Sequence, residues 1–369
     1  MTAMLPTIDY LSRRDRLREL MVESNLAAVV VTAPSNVRYL SGFTGSNGSV
    51  VVGASADRDR LSTDFRYYTQ AETQCPDLAV IPATSTVLEA AMLWCSNESQ
   101  TPVGFESSNV TVRQLSQLHD KVAAHITVST HELVEGLRAQ KDDVERELIQ
   151  RACAISDSAL ARLVAEIHIG QTERDISRRL SWLMLEEGAE ADSFESIVAG
   201  GEHSAIPHHT PTDRPLITGD FLKIDFGALV AGYHADETRT FVVGAQPQAW
   251  QQEIFDVVAR AQRAGIAALT PGADVRSVDA AARSVIIDAG FGEYFGHGLG
   301  HGVGLDIHEV PFLGATSTGI LSVGTPVTVE PGVYLPGRGG VRIEDTLVVG
   351  PVEPVSLTNT SRELLVLGL

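Results

Sequence analysis

Cysteine is scarce in this chain. Cys75, Cys95 and Cys153 form no Cys-x-x-Cys pair and leave an odd count, so they read as reduced thiols of a cytoplasmic protein. Long hydrophobic runs are missing as well: the apolar stretch at 27–31 is far too short to span a bilayer. Residues 1–10 lack the basic region and following apolar run of a secretion signal. Positive charge is in short supply, with 28 Lys and Arg against 47 Asp and Glu and a formal net charge of −19. A polyanionic duplex would repel such a surface, so nucleic acid is excluded as a partner, and no membrane partner is expected. The Gly-rich turn at 41–48 has neither Gly-x-Gly-x-x-Gly spacing nor the lysine of a P-loop, so it is no phosphate cradle. No solenoid-period repeat and no low-complexity segment occurs.

What is present suffices for two folded domains. The chain has 369 residues, 44% of them apolar and 20% charged. Its character changes near residue 135. Before that point helix and strand signals alternate: helical spacing at 13–24, a β-branched run at 27–32 ended by Pro34, strands at 50–52 and 78–81, helices at 64–73 and 86–95. This pattern predicts an α/β domain over 1–135. The second part, 136–369, opens with Asp142 as helix N-cap and Glu145 three residues on, and repeats the device at Thr172 and Asp175. Strands follow at 221–226 and 233–243 around an Ala231-Gly232 turn, then helices at 248–269 and 275–289, then strands at 327–330 and 341–349. The expectation is an antiparallel sheet with helices on one side, an α+β domain.

Within this second part, acids interrupt apolar strands. Asp225 lies in Leu222-Lys-Ile-Asp-Phe-Gly227, and Asp236 lies in the returning segment of the same hairpin. Asp is depleted in strands, so one inside an apolar run faces water or binds something. Glu330 precedes Pro331-Gly332, and Glu344 sits in Val341-Arg-Ile-Glu-Asp-Thr-Leu347. His301 belongs to His297-Gly-Leu-Gly-His-Gly-Val-Gly304, whose glycines permit close backbone approach, and His308 follows. Taken singly, each acid is more often a solvated strand residue, and each histidine a hydrogen-bonded structural one. Four carboxylates and one imidazole in one domain instead match a site for two divalent cations and metal-assisted amide hydrolysis. Such an oxygen-rich set favours Mn²⁺, Co²⁺ or Fe²⁺, with Zn²⁺ also possible.

These segments resemble the pita-bread metallopeptidases of family M24, which include aminopeptidase P, prolidase and methionine aminopeptidase. The matching stretches are Asp225-Phe-Gly-Ala228, Gly232-Tyr-His-Ala-Asp-Glu-Thr-Arg-Thr240, Gly300-His-Gly-Val-Gly-Leu-Asp-Ile-His-Glu309, Val329-Glu-Pro-Gly-Val-Tyr334 and Val341-Arg-Ile-Glu-Asp345. In the first part, Asn36-Val-Arg-Tyr-Leu-Ser-Gly-Phe-Thr-Gly-Ser-Asn-Gly48 and Thr63-Asp-Phe-Arg-Tyr67 are similar to the N-terminal domain of the creatinase, prolidase and aminopeptidase P group. Methionine aminopeptidases lack that domain.

The resemblance implies a creatinase-like α/β domain followed by a pita-bread catalytic domain. It implies metal ligands Asp225, Asp236, His301, Glu330 and Glu344, with Asp236 and Glu344 shared by two ions, most readily Mn²⁺. It implies that His208 contacts the scissile amide, although the adjacent His209 leaves that assignment open by one position. His308 would hold the substrate carbonyl, His297 would lie on the substrate side, Arg342 would orient a ligand carboxylate, and Glu330 would shuttle the proton. His234 and Thr328 stand at positions where the family pattern differs. The implied activity is cleavage of Xaa-Pro bonds in small peptides by a homodimer. The short N-terminal domain and Gly42-Phe-Thr-Gly-Ser-Asn47 lean towards the aminopeptidase P type. The alternative is an Xaa-Pro dipeptidase, a prolidase. A metal-free creatinase-like amidinohydrolase, or a non-catalytic pita-bread peptide-binding protein, would be expected to have lost ligands that are intact here.

Overall fold

The computed structural model describes residues 7–98 and 100–368; residues 1–6 of the amino-terminal stretch read above lie outside them. The chain forms two compact units, Met1–Arg138 and Ala139–Leu369.

The first unit is built on a six-stranded mixed sheet. Its strands run in the order Ala79–Pro82, Arg60–Thr63, Gly48–Gly53, Ala28–Val31, Val103–Glu106, Thr127–Thr130. The all-buried Ala28–Val31 strand is central, antiparallel to Gly48–Gly53 and parallel to Val103–Glu106. That explains its uninterrupted β-branched sequence, since a strand covered on both faces has no polar side to show. Leu88, Ala91, Met92 and Cys95 of the Val87–Asn97 helix pack onto Ala28, Val30 and Val51. Pro34, expected only to end a strand, also begins a helix. It occupies the first turn of Pro34–Ser41, where its missing N–H costs nothing, and Gly42 closes that helix at φ 77°.

In the second unit the helix Asp143–Val164 starts at the expected capping box, with Asp142 and Glu145 each bonding the other's backbone N–H. Thr172 caps Glu173–Glu186 by accepting from the Asp175 amide. These two helices bury Leu160, Leu163, Ile176, Leu180 and Leu183 against Leu222, Ile224 and Phe226. Ala249–Ala268 and Val275–Asp288 enclose a separate core with Val327, Val329, Val341 and Ile343.

The strands differ from expectation in two places. The long hairpin is interrupted. Phe221–Phe226 pairs with Glu237–Val243, while Ala228–Val230 and Tyr233–His234 make a small hairpin of their own. Its turn is Ala231-Gly232, both residues at positive φ (49° and 78°), which is the twist a two-residue hairpin needs. The strand expected at 341–349 is two strands. Gly339–Arg342 pairs with Gly332–Leu335, and Asp345–Val348 pairs with Pro326–Val329. Ile343 and Glu344 form the crossover between them. Among the described residues the second unit therefore holds several small sheets rather than one.

Candidate metal centre

Strand alternation decides what Phe221–Phe226 presents. Leu222, Ile224 and Phe226 enter the helix-backed core, so Lys223 and Asp225 point to the other face. Asp225 lies opposite Thr238 in the ladder. Thr238 also bridges to Glu344: the Glu344 amide donates to the Thr238 carbonyl at 3.1 Å, and Thr238 Oγ1 donates to Glu344 Oε2 at 2.6 Å. The break at Ile343–Glu344 thus aims Glu344 at Asp225. Asp236 precedes the returning strand and is buried.

His301 sits in the Gly300–Gly302 strand with Nδ1 3.0 Å from the Gly302 carbonyl. Its Nε2 lies 3.5 Å from Asp236 Oδ2 and 3.4 Å from Glu330 Oε1. Ligand atoms of Asp236, His301 and Glu344 lie within 4.8 Å of one another. One cavity of about 320 Å³ is lined by Asp225, Asp236, His301, Glu330 and Glu344, with His208 and His308 on its wall. A larger one of about 1080 Å³ shares His208, His301, His308 and Glu330 and adds His297 and Arg342. All nine residues singled out from the sequence line these two cavities.

The electrostatics are those of carboxylates held too close. Burial first, then repulsion from Asp225 and Glu330, pushes the Asp236 carboxyl far above its ordinary range. Burial and Asp236 do the same to Glu344. Burial, partly offset by the Arg342 guanidinium, raises Glu330 to about 8. Burial lowers His301 and His297 to about 4, leaving both imidazoles neutral near pH 7. The Arg342 guanidinium is too little countercharge to ionise all of these buried acids. Asp225 Oδ1 is fully buried without a hydrogen-bond partner, while Oδ2 accepts from Arg342 Nη2. A neutral imidazole, several crowded carboxylates and an orphaned carboxylate oxygen together suit hard divalent cations.

Arg342 also donates to Tyr334 Oη at 2.8 Å, and that hydroxyl lies 2.9 Å from His297 Nε2. Asp225 is thereby linked to His297. The divergent Thr328 has a defined use: its hydroxyl accepts from the His301 amide at 3.1 Å and donates to Glu330 Oε1 at 3.3 Å. His234 bonds Ser193 at 2.8 Å and stays out of the cluster.

Sequence reasoning passed over a second group. Glu173, His203 and His209 also bring ligand-type atoms together. Here the carboxylate is saturated by five donors: the Gly200 amide, His203 Nδ1, His209 Nε2, the Thr212 amide and Thr212 Oγ1, at 2.6–3.0 Å. Burial opposes ionisation, but these donors prevail and pull Glu173 down to about 2. No lone pair is left for a cation, so this group is a hydrogen-bond hub. His209 is buried in it, whereas His208 is exposed to both cavities.

The family model described as Metallopeptidase family M24 matches residues 147–351, and Creatinase/Prolidase N-terminal domain matches residues 13–140. The solved Xaa-Pro dipeptidase from Bacillus anthracis is 36% identical with a TM-score of 0.92, covering 97% of this chain and 100% of that one. The Xaa-Pro dipeptidase of Pyrococcus furiosus is 33% identical over 96% of this chain and 99% of its own. The X-Pro aminopeptidase from Thermotoga maritima is 31% identical with a TM-score of 0.89, covering 96% and 99%. Among the described residues no helix is long and apolar enough to cross a membrane. This chain belongs to metallopeptidase family M24, in its creatinase/prolidase group, and is a metallo-exopeptidase.

Proposed function

We propose that the chain is an Xaa-Pro dipeptidase whose centre is held by Asp225, Asp236, His301, Glu330 and Glu344. The observation that carries the reading is the convergence of these five side chains on one cavity that also exposes His208 and His308. Two divalent ions, Mn²⁺ first and Co²⁺, Fe²⁺ or Zn²⁺ after it, would polarise the scissile carbonyl and acidify water there. Asp236 and Glu344, buried side by side, would help hold both ions. Glu330, its Oε1 steadied by Thr328, takes the proton from the attacking water and passes it to the leaving nitrogen. An amide anion is too basic to leave, so the prolyl nitrogen must be protonated as the bond breaks. His208 faces that nitrogen, and His308 donates to the carbonyl oxygen as it gains charge. Arg342 holds Asp225 and the Tyr334–His297 pair in register.

The Gly42–Asn47 motif leans towards the aminopeptidase P type, and the Thermotoga maritima likeness keeps that reading in view. The dipeptidases of Bacillus anthracis and Pyrococcus furiosus, at higher identity, favour prolidase instead. A homodimer acting in the cytoplasm completes the proposal. The test is hydrolysis of Ala-Pro and Ala-Pro-Ala by Mn²⁺-loaded protein. Prolidase activity requires cleavage of the dipeptide with little of the tripeptide. The opposite preference would restore the aminopeptidase P reading.

A further inference from the structure

His208 lies on the segment between the Ile197–Gly200 strand and Phe221–Phe226, outside any regular element. A histidine on an irregular segment keeps a catalytic position only if its neighbours are fixed. On its amino-terminal side, Lys223 Nζ donates to the Ile206 carbonyl at 2.7 Å and the Pro207 carbonyl at 3.2 Å. That nitrogen is fully buried and lies 5.0 Å from the centre of the Tyr334 ring. On its carboxy-terminal side, His209 and Thr212 are tied to Glu173, which also holds Gly200 and His203. Glu173 lines neither cavity. Two buried side chains on different elements, Lys223 and Glu173, thus clamp the backbone just before and just after one exposed imidazole.

We propose that Glu173 and Lys223 are positioning residues that set His208 against the metal centre. The inference rests on the reading of His208 as a residue of the peptidase site. Glu173 supplies acceptors that no neutral side chain can replace in full: glutamine offers one oxygen where the carboxylate offers two. Its amide would face donors, leaving buried N–H groups without partners and letting the 200–212 segment shift. The five ligand residues have no bond to Glu173, so metal binding is left intact.

The experiment is a double-mutant cycle of Glu173→Gln with His208→Ala, reading kcat on Ala-Pro and bound Mn²⁺ per chain. Glu173→Gln should lower kcat on the order of 10- to 100-fold, the scale of a displaced catalytic group, with bound Mn²⁺ unchanged. In the His208→Ala background the same change should cost little more. Equal fold losses in both backgrounds, or a loss that tracks missing metal, overturn the proposal. Should Glu173→Gln fail to fold, Thr212→Val removes one donor to the hub and must show a smaller, equally non-additive loss. Unchanged kcat in Thr212→Val would then overturn it. Full activity in His208→Ala would remove the underlying reading and this inference together, whereas an impaired His208→Ala beside an unimpaired Glu173→Gln removes this inference alone.

Discussion

Stripping the metal should leave a protein whose stability falls as pH rises above neutrality. Glu330, at the cavity wall, has its carboxyl raised from 4.5 to about 8 by burial. The folded state therefore binds this proton more tightly than the unfolded chain, and its stabilising effect is lost as pH climbs through that interval. His297 and His301 act oppositely. Burial lowers them from 6.5 to about 4, so their contribution grows over that range and is complete above pH 6.5. From pH 6.5 to 8 these two histidines no longer oppose the carboxyls, and buried Lys223, held well below the ordinary lysine range, offsets only part of their combined effect. Over this window Glu330 alone should cost roughly 2 kcal/mol, or about 4–8 °C of melting temperature for a unit of this size. Asp236 and Glu344 are raised in the same direction and add to the fall. Divalent cations favour the ionised carboxylates, so the increment in melting temperature on adding Mn²⁺ should widen with pH. Thermal melts of metal-stripped protein at pH 6.5 and 8, with and without Mn²⁺, read both effects. A metal-free melting temperature that rises with pH in this window, or a Mn²⁺ increment equal at both values, would refute the reasoning.

Three substitutions probe other parts of the account. Asp236→Ala should abolish peptidase activity and reduce binding of both ions, and full activity in this variant would sink the two-ion assignment. A Cβ at Gly300 would stand 2.0 Å from the Thr328 carbonyl oxygen. Gly300→Ala must therefore push the His301 strand away; denaturant melts should show a loss of roughly 1–3 kcal/mol, and metal analysis should show reduced Mn²⁺ per chain. Leu180 is fully buried in the helix-backed core. Leu180→Ala should cost about 2–5 kcal/mol in urea unfolding while Mn²⁺ stoichiometry is retained, separating core stability from the site.

The site was legible because it violates strand chemistry. Asp225 and Glu344 interrupt buried, largely apolar runs, and the glycines around His301 advertise close backbone approach. Lys223 breaks the same strand as Asp225, but lysine is not a metal-ligand type, so the sequence pattern alone gives it no role. Glu173 was hidden for a different reason. It sits in the first turn of a helix, where an acid is expected for the helix dipole alone, so nothing in the sequence marks it as a hub. The capping box at Asp142 was readable because all its partners are local. The break at Ile343–Glu344 was not, since it depends on pairing with the distant Thr238. The different surroundings of His208 and His209 are likewise tertiary, as only the structure ties His209 to Glu173.

The central claim is that these five side chains hold a pair of ions that drives hydrolysis. Stepwise addition of Mn²⁺ to metal-stripped protein, with bound metal and release of proline from Ala-Pro followed in the same samples, addresses it directly. The account predicts no turnover without metal and activity that climbs to a plateau at two ions per chain. Hydrolysis by metal-free protein, or an activity plateau reached at one ion per chain, would contradict it.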